Sequence, residues 1–244
     1  FIFLSSLSLM LPPMQSPDEN AHLLRAEMLA RGQWRLVPAP VDTPRDLAGL
    51  GGWVDKNLVL FSSAYLAVAT QQKGVLATDV KAHVATLNWA KETVFYPVPG
   101  TGYYFPLIYA PQAFALWTGR AAGLTVAHSY QLARTTTLLV ACSLLALAWR
   151  RLVPNPAVIA IATLPMCLFQ ILSPTVDGIT TALAILAVSQ FLSHLENNSA
   201  SPTTPWGLYV SVFFLVTSRT HLLPLLLLPI YLAWRERTKS TWIS

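Results

Sequence analysis

From residue 131 onward the chain alternates apolar runs with short polar breaks. Leu132–Trp149 ends at Arg150-Arg151, and Ala157–Leu172 follows Pro154 and Pro156 and stops at Ser173-Pro174. Val176–Leu195 leads into the polar linker Glu196–Pro205, and Trp206–Ser218 and His221–Trp234 form a last pair before Arg235, Arg237 and Lys239. Residues 152–176 carry no charge, and neither do 197–218. Lipid tolerates such runs, so residues 131–244 predict a bundle of about five membrane helices. The opening run Phe1–Leu11 spans only about 16 Å as a helix and is expected to be the outer half of a truncated first crossing. It lacks the basic flank and the small-residue cleavage site of a signal peptide.

Residues 12–130 follow another pattern. Pro17–Arg31 predicts a helix that stops before Gly32, and residues 36–56, with Pro, Gly and Asp, predict irregular loop. Leu58–Ala69 and Tyr103–Leu124 are apolar, the second interrupted by Pro106 and Pro111. Both are expected to lie along the membrane surface, with Tyr103, Tyr104, Tyr109 and Trp117 at headgroup level. The expected fold is thus an all-α, polytopic integral membrane protein in three parts: helix 1–11, a long outer loop 12–130 with juxtamembrane helices, and the bundle 131–244.

Composition agrees. The 244 residues are 54% hydrophobic and 11% charged, with a mean hydropathy of +0.49. A soluble domain carries about twice that charge density, which excludes a soluble enzyme, a disordered chain and a disulfide scaffold. Cys142 and Cys167 lie in apolar runs and read as small core hydrophobes. Residues 12–130 hold 9 of the 16 Lys and Arg and 8 of the 11 Asp and Glu. The net charge of +5 therefore points to cytoplasmic helix ends rather than to nucleic acid. Arg150-Arg151 and the Arg235–Lys239 cluster are assigned to the cytoplasm. That puts residues 12–130, Ser173–Asp177 and Ser218–His221 outside, and the sequon at Asn197 inside, where it has no meaning.

The richest stretch is Ser16-Pro17-Asp18-Glu19-Asn20-Ala21-His22-Leu23-Leu24-Arg25. One reading is structural: Ser16 as N-cap, Pro17 at the first helical position, Glu19 closing a capping box. The other is chemical. Asp18, His22 and Arg25 share a face at i, i+4 and i+7, and a carboxylate, an imidazole and a guanidinium there could handle a proton and an anion together. Arg134, Asp177, Arg219 and His221 sit at other outer helix ends, where an acid such as Asp177 calls for a partner or a task. His83, His128 and His194 are left as structural or solvated. Gly119-xxx-Gly123 matches a weak helix-packing pattern. No phosphate-binding loop, HExxH, CxxC or GxSxG motif occurs.

The pattern Pro-x-x-Ser-Pro-Asp-Glu-x-x-His-x-x-Arg, from Pro13 to Arg25, resembles the opening of a bacterial membrane-protein family catalogued as domain of unknown function 2142. Tyr104-Phe-Pro-Leu-Ile-Tyr-Ala-Pro-Gln112, Ser173-Pro-Thr-Val-Asp177 and Ser218-Arg219 resemble its later signatures, in order. That family in turn resembles the GT-C glycosyltransferases, among them protein O-mannosyltransferases and aminoarabinose transferases, which carry an acid early in a long outer loop. The mannosyltransferases have an Asp-Glu pair there, matched by Asp18-Glu19.

The resemblance implies a GT-C-like bundle in the bacterial inner membrane. It implies transfer of a sugar from a polyprenyl-phosphate carrier to an envelope glycan, lipid or protein on the outer face. Asp18 would be the general base; Glu19 would position the acceptor, or a divalent metal ion if one is used. Arg25, Arg134 and Arg219 would stabilise the leaving phosphate, with His22, Tyr104 and Asp177 also in the binding site. The alternative is a non-catalytic transporter or binding protein for lipid-linked glycans, in which Asp18-Glu19 only cap a helix. A third reading is a structural subunit of an envelope assembly.

Overall fold

The computed structural model describes residues 1–44, 48–71, 76–196 and 205–241. The Asn197 sequon and linker residues 197–204 lie outside them. The chain is mostly helical, with 69% of residues in helices. The first half holds α1 (Ile2–Met10), α2 (Glu19–Ala30), α3 (Lys56–Gln71), α4 (Thr78–Ala85) and α5 (Ala110–Ala121). The second holds α6 (Val126–Arg151), α7 (Pro156–Ala162), α8 (Pro165–Ile171), α9 (Asp177–Glu196), α10 (Trp206–Ser218) and α11 (Leu227–Thr241).

Among the described residues two helices are long and apolar enough to cross a membrane: α6, of 26 residues, and α9, of 20. They pack on each other, with α5 also against α6 and α10 against α9. α6 starts earlier than its apolar run because the Thr125 hydroxyl accepts a bond from the His128 backbone N–H at 3.3 Å. Prolines divide the remaining runs. Pro165 disfavours a helical Leu164 and parts α7 from α8. Pro224 sits inside the 3-10 segment Thr220–Leu226 that precedes α11.

The first half departs from an all-α fold. Part of the stretch expected as loop forms strands β1 (Val37–Pro38) and β2 (Leu50–Asp55), which pair antiparallel with each other and with β3 (Thr93–Pro97). Gly51 and Gly52 hide this strand in the sequence, since neither carries a side chain to mark the period of two. Their smallness is required: a Cβ on Gly51 would stand 2.1 Å from the Tyr96 carbonyl oxygen.

Charge holds this part to the helices. Glu27, fully buried on α2, bonds Arg31 and Arg120 at 2.6 Å each, and Arg31 reaches Asp55 on β2 at 3.1 Å. Arg120 also lies over the Trp89 ring, 5.4 Å from its centre. Gly119 is a true close approach: a Cβ there would stand 2.4 Å from Ser129 Oγ on α6. Cys142 and Cys167 are free and partly buried.

Candidate functional site

The link from α1 to α2 is conformationally strained. Met14 and Asp18 hold φ of 59° and 56°, in the left-handed region that costs an L-residue about 1–2 kcal/mol. Asp18 is the N-cap of α2, yet its side chain makes no capping bond. The expected capping box therefore forms only in part: Ser16 N–H donates to Glu19 Oε2 at 3.0 Å, while Ser16 Oγ is buried without a partner. The Asp18 carboxylate is exposed and makes no hydrogen bond or ion pair among the described residues.

Glu19 is the opposite case. It is 1% exposed, and its Oε1 accepts from the Tyr130 hydroxyl at 2.5 Å. Both oxygens are taken within the protein. Glu19 was expected to position an acceptor or a metal; in the fold it joins α2 to α6. Tyr130 was legible only as the residue one turn before Arg134.

His22 is 3% exposed, its Nδ1 2.9 Å from the Tyr109 hydroxyl. Its ring is stacked on Tyr104, with centres 5.7 Å apart and 15° between planes. Burial, and then the charge of Arg219, drive its pKa down to about 4, against a smaller upward pull from Asp18. The imidazole is neutral at physiological pH. Tyr109 is held in its neutral phenol form by the same burial.

Arg219, at the end of α10, pairs with Asp177 at the start of α9, and its guanidinium lies 5.4 Å from the centre of the Tyr104 ring. Two further bonds fix this corner: Gln112 Nε2 donates to the Thr175 carbonyl at 3.1 Å, and Phe105 N–H to the Thr217 carbonyl at 3.1 Å. Residues from all four sequence signatures thus meet. His22, Tyr104, Arg219 and Asp177 are linked in that order by ring stacking, a cation–π contact and an ion pair, with Asp18 near enough to act on His22 through its charge. Asp177 and Arg219 also line a cavity of about 400 Å³ with His221 and Gln170.

Arg25 and Arg134 do not join it. Arg25, 2% exposed, donates to the Gln33 and Trp34 carbonyls at 2.9 and 2.6 Å, securing the turn after α2. Of the residues expected to share a face, His22 and Arg25 are buried because α2 is covered on nearly every side, while Asp18, just before the helix, is exposed. Arg134, about two turns into α6, donates from Nε to the Leu172 carbonyl and from Nη1 to the Leu11 carbonyl, both at 2.8 Å. It fastens α1 and α8 to α6. Among the described residues no three His, Cys, Asp or Glu side chains gather as a metal site.

A family model described as a predicted membrane protein (DUF2142) matches residues 1–244. No curated protein and no solved structure matches the chain.

Proposed function

The chain belongs to the DUF2142 family of predicted membrane proteins, and we propose that it is a GT-C-type glycosyltransferase of the bacterial inner membrane. In this reading residues 12–130 face outward, and the donor is a sugar on a polyprenyl phosphate. The carrying observation is Asp18: strained, exposed, and unused by the helix it begins. A left-handed aspartate whose carboxylate makes no bond among the described residues fits a functional group better than a cap.

Asp18 takes the proton from an acceptor hydroxyl or amine as that atom attacks the anomeric carbon. The sugar–phosphate C–O bond breaks, its electron pair leaves with the polyprenyl phosphate, and the anomeric centre inverts. Arg219 stabilises the departing phosphate; its five N–H donors exceed what the Asp177 carboxylate takes. Tyr103, 70% exposed and edge-on to Tyr104 at 5.5 Å, offers an apolar face to a sugar ring. His22, neutral and buried, holds Tyr104 in place rather than carrying the proton. Glu19 fixes the start of α2 from behind.

The non-catalytic transporter or binding protein is the second reading. The closed Asp177–Arg219 pair favours it, since a neutralised cation is a weak electrophilic group. The two separate in the host. Wild type, a deletion, Asp18→Asn and Asp18→Gly are compared at matched membrane levels by mass spectrometry of envelope glycans and polyprenyl-linked sugars. Both variants tolerate the left-handed backbone, so their unfolding temperatures stay at or above the wild-type value. Under transfer the rate falls about 10²–10⁴-fold and the lipid donor accumulates, as in the deletion. Retention by both variants of every glycan that the deletion loses rejects the base and leaves the transporter.

A further inference from the structure

A second cleft, of about 460 Å³, opens between the end of α1, helices α3 and α4, and the first turns of α6. It shares no lining residue with the cavity at Asp177 and Arg219. Its long wall is apolar, with Leu9 and Leu11 from the α1 end and Phe61 and Val68 from α3. Its polar part carries Gln15, Lys81, Gln131 and Arg134, and no carboxylate lines it among the described residues. Gln131 Nε2 is a buried donor with no hydrogen-bond partner. One turn away on the same helix face, Arg134 is 2% exposed with two of its donors on carbonyls. Tyr130, which also lines the cleft, donates its hydroxyl to the Glu19 carboxylate.

A buried guanidinium and an unpartnered amide donor are stabilised by a ligand that supplies acceptors and negative charge. The adjoining apolar wall selects a ligand with a hydrocarbon chain. We propose that this cleft binds a phosphate-bearing membrane lipid, with the phosphate against Lys81, Gln131 and Arg134 and the chain along Phe61, Val68 and the end of α1. The site stands apart from the glycosyl-transfer reading, because nothing in it requires a reaction at Asp18.

The test uses the full chain in dodecyl maltoside, which carries no phosphate, with fluorescent dodecyl phosphate as probe, and inorganic phosphate and dodecanol as competitors. The expected result is saturable binding that dodecanol fails to displace and inorganic phosphate displaces only weakly. Gln131→Leu and Lys81→Glu each weaken it about tenfold or more, and Lys81→Arg retains it. Arg134→Gln is the less decisive variant because Arg134 also fastens Leu11 and Leu172. Asp18→Asn, which stops transfer under the reading above, leaves this binding intact, so the two proposals fail separately. Competition by inorganic phosphate as strong as by unlabelled dodecyl phosphate overturns the lipid assignment in favour of a free anion. Equal displacement by dodecanol, or wild-type binding in both weakening variants, overturns the site.

Discussion

His22 is a histidine whose neighbours keep it neutral. Its folded pKa of about 4 lies below the ordinary value of 6.5, so between those values the unfolded chain binds the proton and the folded chain does not. The associated stability is complete above pH 6.5 and declines as pH falls toward 4, by on the order of 3 kcal/mol across the window. Unfolding followed in detergent from pH 7.5 to 4.5 (about the range of the shift) should show this decline, and His22→Gln should flatten it. An equal slope in wild type and variant rejects the assignment. Sequence reasoning singled out His22 by helical spacing, Tyr104 by resemblance, and Asp177 and Arg219 as polar groups at outer helix ends, and the fold brings these four together. What covers Glu19 and Arg25 was not legible, because spacing along a helix says which residues share a face but not what lies against it. Glu19 is covered by Tyr130, and Arg25 by the turn at Gln33 and Trp34.

Among the elements, the apolar runs were legible and their interruptions partly so. Pro106 and Pro111 stood out and do bound the 3-10 turn Pro106–Tyr109 and the start of α5. Pro165 and Pro224 lie inside runs read as single helices, and the apolar residues around them masked the breaks. The sheet was illegible because its central strand opens with Leu50-Gly51-Gly52. The α5–α6 contact permits a direct test. Gly119→Ala drives a Cβ to 2.4 Å from Ser129 Oγ and 2.7 Å from Ser129 Cβ, an overpacking that costs about 1–3 kcal/mol. Adding Ser129→Gly removes both atoms, so the double variant should lose less stability than the two single losses combined. A strictly additive pair in thermal unfolding would show that the helices do not meet there. The same contact sets the position of Arg120, the next residue on α5, against Glu27 on α2.

At the scale of the molecule, α6 and α9 carry the apolar length, and the polar cluster gathers where Tyr104 links His22 on α2 to Arg219 at the end of α10 and, through it, to Asp177 at the start of α9. The proposed topology can be read with single cysteines after Cys142 and Cys167 are replaced by Ser. Val41→Cys, at a fully exposed site, should react with a membrane-impermeant maleimide in intact spheroplasts, and Val153→Cys, 86% exposed after α6, should react only after lysis. Labelling of both in intact spheroplasts would overturn the orientation taken from the arginine clusters. Arg134 ties this architecture to the order in which the chain is made. Leu11 leaves the ribosome long before the guanidinium that receives its carbonyl, and Asp18 long before Arg219. At ordinary synthesis rates the second interval is about 10–40 s. The nascent N-terminal segment must therefore wait with the Leu11 carbonyl and the His22–Tyr104 stack short of the arginines that complete them. The cluster is complete only after α10 and the arginine at its end have been made.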